Sequence, residues 1–133
     1  METEGPSMPV VLIVEDDPLL RMLAVEIAHE AGFAALEACD ADSAVTLLEA
    51  RNDIVLLFTD VQMPGSMDGI KLAHAVRDRW PPIKIMVASG RARLELSELP
   101  LGSRFLAKPY AAEVMIAGLQ SMAGARAPLT RTS

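Results

Sequence analysis

Five short apolar runs alternate with segments of helical spacing along this 133-residue chain, and the alternation limits the folds open to it. The runs cover residues 10–14, 33–38, 54–59, 83–88 and 104–107. Between them, apolar residues recur at intervals of three and four, as on one face of a helix. Strands that alternate with helices favour parallel strands joined by crossover helices. We therefore predict an α/β fold with one doubly wound, five-stranded parallel sheet and helices on both of its faces.

Start and stop residues mark the predicted helices. Asp17-Pro18 suits the cap and first turn of a helix that Gly32 ends, and Asp40 or Asp42 can cap the second. A third helix ends before two consecutive prolines, and the last covers residues 111–122. Their apolar stripes are predicted to be core, in the first helix Leu20, Leu23, Ile27 and Ala31, and in the last Met115, Leu119 and Met122.

The segment at residues 90–102 breaks this pattern. Pro100 and Gly102 leave room for barely two helical turns, so the fourth helix is predicted to be short or irregular.

Length and composition predict one soluble domain at residues 9–124, with a loose leader at 1–8 and a flexible tail at 125–133. A hydrophobic content of 51% with 4% aromatic residues suits an aliphatic core. No apolar stretch approaches the roughly 20 residues of a membrane span. The net charge of -6, with scattered basic residues, disfavours nucleic acids and anionic membranes as partners. The single cysteine, Cys39, is predicted to be a small buried side chain, and a reducing cytoplasm fits best.

Polar side chains follow four of the five predicted strands. Glu15 and Asp16 come after the first strand, Asp60 ends the third, Ser89 follows the fourth and Lys108 follows the fifth. In open parallel sheets, ligands bind outside the carboxyl ends of the strands. We therefore expect these side chains to meet at one edge of the sheet.

The chemistry of this set favours phosphoryl transfer. Acids gathered at one edge repel one another unless a cation is present, and hard oxygen ligands in a small site favour Mg2+. A lysine and a hydroxyl opposite the metal complete the groups that phosphoryl transfer requires, with Asp60 as the nucleophile. Asp17 better suits a helix cap, because Pro18 follows it at the preferred first-turn position.

Taken in chain order, these residues resemble the receiver domain of two-component response regulators over about residues 9–124. The motifs that carry the resemblance are Glu15-Asp16-Asp17-Pro18, Asp60-Val61-Gln62-Met63-Pro64 with Met67-Asp68-Gly69, Ser89-Gly90 and Lys108-Pro109. The resemblance implies the flavodoxin-like (βα)5 receiver fold and a phosphoprotein of phosphorelay signal transduction.

The resemblance also implies a metal site. Asp60 would be the phosphoacceptor that forms an aspartyl phosphate. Asp16 and the backbone carbonyl of Gln62 would join it as Mg2+ ligands, and Glu15 would reach the metal through water.

Three further residues take their roles from the same resemblance. Ser89 would hydrogen-bond the phosphoryl group and act as a switch residue, while Lys108 would pair with that group after a cis Lys108–Pro109 peptide bond. Phe105 stands at the position of the switch aromatic, where it cannot make the hydroxyl hydrogen bond of a tyrosine.

Two departures from the family pattern concern the rim and the signalling face. The loop at residues 63–69 has one residue more than the usual pattern, which predicts a different pocket rim. Phe105 and the short fourth helix predict a signalling face unlike that of standard receivers. The Gly- and Pro-flanked segment at 90–102 resembles stand-alone receivers of alphaproteobacterial type.

These observations predict a single-domain response regulator, which is not an enzyme beyond promoting its own phosphorylation and dephosphorylation. It would take a phosphoryl group from a histidine kinase or a histidine phosphotransfer protein and signal to an unidentified protein target by contact, relay or as a phosphate sink. The alternative is a phosphorylation-independent interaction module on the same scaffold. A phosphatase is disfavoured because Gln62 stands where a general acid is expected, and a nucleotide binder because no Gly-rich loop follows the first strand.

Overall fold

The computed structural model describes residues 8–63, 65, 67–90 and 96–123. Five strands alternate there with four α-helices. The strands are β1 (Val10–Val14), β2 (Ala34–Ala38), β3 (Ile54–Asp60), β4 (Lys84–Ser89) and β5 (Arg104–Ala107). The helices are α1 (Pro18–Glu30), α2 (Ala41–Ala50), α3 (Gly69–Arg79) and α4 (Ala112–Ala123). None of these helices is long and apolar enough to cross a membrane.

The strands form one parallel sheet in the order β2-β1-β3-β4-β5. The predicted doubly wound, five-stranded α/β fold is thereby confirmed. The chain leaves β1 in one direction across the sheet and β3 in the other, so the strand order reverses between them. Crossover helices diverge at such a point and leave a crevice at the carboxyl ends of the strands, where ligands bind. This crevice lies between Val14 and Asp60, the last residues of β1 and β3.

Alternate side chains of the strands fill two separate cores. On one face, Leu12, Leu57 and Val87 pack with buried residues of α2 and α3. On the other, Val11, Ile13 and Met86 pack with buried residues of α1 and α4. Because both faces are covered, the central strands are apolar almost throughout, as expected of a parallel sheet.

The predicted cap of the first helix is confirmed, and of the two candidates for the second helix, Asp40 is the cap. The Asp17 carboxylate accepts hydrogen bonds from the N–H groups at the start of α1, and Asp40 and Asp68 do the same for α2 and α3. Gly32, just beyond α1, has a φ of 95°, a conformation that side chains disfavour and that ends the helix.

Two predictions of burial are wrong. Leu20 and Leu23 are 39% and 44% exposed, because α1 meets the core through Ala24 and Ala28, whose small side chains permit close approach. The predicted stripe is wider than the face that the core covers: Ile27 and Ala31 contact the core, while Leu20 and Leu23 lie outside it. Cys39 is exposed rather than buried, since it follows β2, an edge strand, where the chain turns towards α2.

The connection between β4 and β5 is irregular, as predicted. Its described part contains one short 3-10 turn, Leu96–Glu98, followed by the buried residues Leu99 and Pro100. The His74 Nε2 atom lies 2.8 Å from the Glu98 carbonyl oxygen and ties this turn to α3. Residues 91–95, the tail and most of the leader lie outside the described residues, so the proposed domain boundaries remain a prediction.

Candidate functional site

Backbone hydrogen bonds hold the carboxyl ends of β3, β4 and β5 together. Just beyond β3, the Val61 N–H donates to the Ala88 carbonyl at 3.0 Å. Just beyond β5, the Lys108 N–H donates to the Ser89 carbonyl at 2.9 Å. Asp60 is therefore the last residue of a strand that is anchored beyond its end, and its side chain is buried.

The side chain of Lys108 joins two acids from different strands. Its Nζ atom lies 3.1 Å from Asp60 Oδ1 and 3.3 Å from Glu15 Oε1. The second carboxylate oxygen of Glu15 accepts the Asp17 N–H at 3.2 Å, so Glu15 is held from two sides. The Lys108–Pro109 peptide bond is cis, as the family resemblance implies.

Three carboxylates form a cluster with the donor chemistry of a divalent cation site. One oxygen from each of Glu15, Asp16 and Asp60 lies within 4.8 Å of the others. Three negative charges against the single ammonium of Lys108 leave an excess of two, which one divalent ion would balance. Carboxylate oxygens in a small site suit Mg2+, so these residues fit the predicted metal.

Burial shifts the titration of both enclosed acids. Burial raises the pKa of Asp60, and the negative charge of Asp16 adds to the rise, while Lys108 acts against it. The pKa of Glu15 is raised by burial and by the charge of Asp60, although hydrogen bonds from Asp17 and Lys108 lower it. For Lys108, burial acts to lower the pKa, but its hydrogen bonds and charge attraction to Asp60 and Glu15 raise it overall. The positive charge and hydrogen bonds of the protein alone therefore do not fully offset the cost of burying Asp60 and Glu15 in their ionised forms.

We expect Asp60→Asn to stabilise the metal-free protein at pH 7. The raised pKa of Asp60 means that its ionised form costs free energy in the folded state. The folded protein holds that proton more tightly than the unfolded chain, so this cost is absent below the unfolded pKa and appears as pH rises through the folded pKa. The gain in the free energy of unfolding of Asp60→Asn over wild type should therefore decrease as pH falls to about 4. Urea unfolding with a chelator at both pH values measures it, and a variant less stable than wild type at pH 7 would contradict it.

The structure places the other predicted site residues in or just beyond β3, β4 and β5. Ser89 is buried at the end of β4, next to the residue paired with Asp60. Gln62 is exposed two residues beyond Asp60, and its carbonyl ligand role remains a prediction. Phe105 is half-buried and packs against the core on the side of α2 and α3. In the loop at 63–69, Pro64 and Ser66 lie outside the described residues, so the effect of the added residue on the rim is untested.

Two features near the site were missed in the sequence. Thr59 is buried beside Asp60, and its hydroxyl donates to the Asp60 carbonyl at 2.9 Å. Arg21 reaches from α1 to the backbone of the acid cluster, where its Nη1 donates to the Glu15 carbonyl at 2.9 Å. A polar residue within an apolar run was a usable signal for Thr59, whereas only the folded helix brings Arg21 to Glu15.

An apolar groove runs along α1 to the edge of the site. It has a volume of about 590 Å³, and its lining includes Leu20, Leu23 and Ile27 from α1 and Lys108, Pro109 and Tyr110 after β5. The carboxylate residues Glu26 and Glu30 border it. Leu20, Leu23 and Ile27 belong to the apolar stripe that the sequence predicted to be core. We call this surface the α1 groove.

A parallel sheet in this strand order, with a buried aspartate, two further acids and a lysine at its carboxyl edge, defines the class of phosphoacceptor signalling domains. The family model for the response regulator receiver domain matches residues 11–120. The chain therefore belongs to the response regulator receiver domain family of two-component systems. Receiver domains are signalling domains rather than metabolic enzymes.

Individual relatives agree with this assignment. The chain is 31% identical over 118 residues to the response regulator receiver protein CpdR of Brucella abortus, covering 86% of this chain and 97% of CpdR. It is 30% identical over 110 residues to the nitrogen assimilation regulatory protein NtrX of Azorhizobium caulinodans, but spans only 24% of that protein's length. A crystal structure of a response regulator receiver protein from Sinorhizobium medicae superposes with a TM-score of 0.82 at 25% identity, covering 90% of this chain and 97% of that one.

Proposed function

We propose that this protein is a stand-alone response regulator whose Asp60 accepts a phosphoryl group from a histidine kinase or a histidine phosphotransfer protein in the presence of Mg2+. The observation that carries the proposal is the position of the Asp60 carboxylate. It is buried at a strand end, 3.1 Å from the Lys108 ammonium and within the cluster formed with Glu15 and Asp16. Labelling with a small phosphodonor, compared between wild type and Asp60→Asn, tests it.

The proposed reaction moves one phosphoryl group between two side chains. An Asp60 carboxylate oxygen forms the new O–P bond while the N–P bond of a phosphohistidine breaks, and the imidazole leaves with the bonding electrons. Asp60, Asp16 and the Gln62 carbonyl would hold Mg2+, which supplies positive charge to the phosphoryl oxygens. Lys108, already in contact with the Asp60 carboxylate, would pair with the transferred group, and the Ser89 hydroxyl would donate a hydrogen bond to it.

We expect Asp16→Asn to weaken Mg2+ binding about tenfold or more, because it removes one charged ligand from a site with few protein ligands. Asp16 is exposed, and loss of its charge removes repulsion on the Asp60 carboxylate, so the metal-free variant should unfold at the same or a slightly higher urea concentration than wild type. Isothermal titration with MgCl2 measures the affinity. Asp42→Asn, at another exposed acid near a helix start, is the control; equal loss in both variants would contradict a specific metal site.

The α1 groove supports a protein as the phosphodonor. Exposed apolar patches bordered by polar residues mark interaction surfaces in soluble proteins. Here Leu20 and Leu23, which line the groove, are 39% and 44% exposed. Lys108 belongs both to the groove and to the contact with Asp60, so the surface is continuous with the phosphoacceptor. A protein seated in the groove would present its own groups directly to Asp60.

The charges around the groove indicate what that protein carries. Glu26 and Glu30 flank the apolar residues, and the whole chain has a net charge of -6. A second copy of this chain would bring the same acidic helix, which disfavours self-association through this surface. We therefore propose that the groove binds an amphipathic helix of the phosphodonor, with an apolar stripe bordered by lysine or arginine.

The proposed output is protein contact. CpdR, itself called a response regulator receiver protein, is matched over 97% of its length, which supports a receiver that works without a domain of another kind. The irregular connection between β4 and β5 would then shape the surface offered to a target. A phosphorylation-independent interaction module is the other candidate, favoured by the α1 groove, and it predicts that binding to a partner is the same for wild type and Asp60→Asn.

A further inference from the structure

Thr59 carries a hydroxyl at a buried position where packing alone does not require a polar group. It is the only polar residue of β3 before Asp60, and it is fully buried. Valine has nearly the same shape and would fill this place without the cost of burying a hydroxyl. In the structure the hydroxyl donates to the carbonyl oxygen of Asp60 at 2.9 Å. The side chain thus acts on the backbone of the next residue rather than on the core.

Gly69 closes in on the same carbonyl from the first turn of α3. A Cβ at this position would overlap the carbonyl oxygen of Asp60 and lie 2.7 Å from its carbonyl carbon and 2.9 Å from the Val61 Cα. The backbone of Gly69 does not have a positive φ, so the requirement for glycine is one of space. Its N–H also donates to the Val61 carbonyl at 2.8 Å.

These contacts act where the sheet no longer holds the strand on both sides. The pairing of β1 with β3 ends at Val14 opposite Thr59, one residue short of Asp60. On the other side, the Val61 N–H donates to Ala88 of β4. The Asp60–Val61 peptide is therefore fixed by β4, by the Thr59 hydroxyl and by Gly69 together. This peptide orients the Asp60 side chain and leads along the backbone to Gln62.

We propose that Thr59 is a positioning residue for phosphoryl transfer: its hydroxyl, with Gly69 opposite, fixes the Asp60–Val61 peptide and so the direction of the Asp60 carboxylate. The inference rests on the proposed function of Asp60. Thr59 touches no reacting atom and acts only through the carbonyl that it binds. Small misplacements of a nucleophile reduce rate strongly, because the reacting atoms have to lie about 3–3.5 Å apart and aligned.

The test compares Thr59→Val with Thr59→Ser in phosphorylation by acetyl phosphate. With Mg2+ and acetyl phosphate saturating, Thr59→Val should lower the rate constant roughly fivefold to tenfold, the equivalent of one lost hydrogen bond. The concentration of acetyl phosphate at half-maximal rate should change little, because no contact with the donor is lost. Thr59→Ser keeps the hydroxyl and should stay within about twofold of wild type. Gly69→Ala should also lower the rate constant, as Thr59→Val does.

A destabilised variant separates positioning from loss of fold. Ile85→Val removes a buried methylene from β4, away from the carboxyl edge, and should lower stability without changing the rate constant. The proposal is overturned if Thr59→Val reacts within twofold of wild type, if Thr59→Ser loses as much as Thr59→Val, or if Ile85→Val loses rate in proportion to its stability. Wild type and Asp60→Asn belong in the same assay. If both remain unlabelled, the proposed function is wrong and the positioning role fails with it. If wild type is labelled but the Thr59 variants do not behave as expected, only the positioning role is wrong.

Discussion

Asp60→Asn is expected to abolish phosphorylation, with wild type taking up one phosphoryl group from acetyl phosphate and Mg2+ and the variant none. An amide lacks the anionic oxygen that attacks phosphorus. The other two acids of the cluster do not substitute for it, because Glu15 is held by Lys108 and the Asp17 N–H, and Asp16 is exposed to water. Intact-protein mass spectrometry measures the added group, and hydroxylamine should remove it, as expected of an acyl phosphate.

A matched acid controls for nonspecific labelling. Asp78 is exposed near the end of α3, with no role in the site, and Asp78→Asn should be labelled as fast as wild type. The circular dichroism spectrum and urea midpoint of Asp60→Asn should show an intact fold. If Asp60→Asn is labelled to the same extent as wild type, the assignment of the phosphoacceptor is wrong.

Replacing the apolar residues of the α1 groove with lysine should separate protein phosphodonors from small ones. For Leu20→Lys combined with Leu23→Lys, we expect transfer from a phosphorylated histidine kinase to fall about 10- to 100-fold in kcat/KM, the range seen when central apolar contacts are lost. Both residues are 39% or more exposed, so the fold loses little packing. Labelling by acetyl phosphate should be unchanged, because the small donor makes no contact with Leu20 or Leu23.

The kinase for this experiment is the one that transfers fastest in a profile of the histidine kinases of the source genome. Leu101→Lys is the matched control, since Leu101 is 95% exposed but precedes β5, at the opposite edge of the sheet from Lys108. It should leave both reactions unchanged. Equal transfer to the double variant and to wild type would exclude the groove as the donor surface, and equal loss with both donors would indicate damage to the site itself.

The local signals that predicted the elements are short-range. Asp17, Asp40 and Asp68 cap the helices because a carboxylate accepts from N–H groups two or three residues away, which the sequence shows directly. The strand at Arg104–Ala107 lies where the apolar run predicted it. The sequence also predicted that Asp60 and Lys108 meet at one edge of the sheet. All strands of a parallel sheet have their carboxyl ends at the same edge.

Contacts between elements could not be predicted in the same way. The apolar stripe of α1 indicated a buried face, but its width did not show that Ala24 and Ala28 would meet the core and leave Leu20 and Leu23 outside. Cys39 was predicted to be buried because it follows an apolar strand, yet that strand lies at the edge of the sheet. Helical period defines a direction for each side chain, whereas burial depends on which neighbours cover that direction.

The sequence by itself determined the alternating α/β order, the helix caps and the set of acids, hydroxyl and lysine at one sheet edge. These follow from periodicity, local hydrogen bonding and the common direction of parallel strands. Only the tertiary structure decided that Lys108 lies between Asp60 and Glu15, that Thr59 and Gly69 enclose the Asp60 carbonyl, and that an apolar groove runs along α1. The reason is distance: residues far apart in the chain approach within a few ångströms only when the helices and the sheet pack.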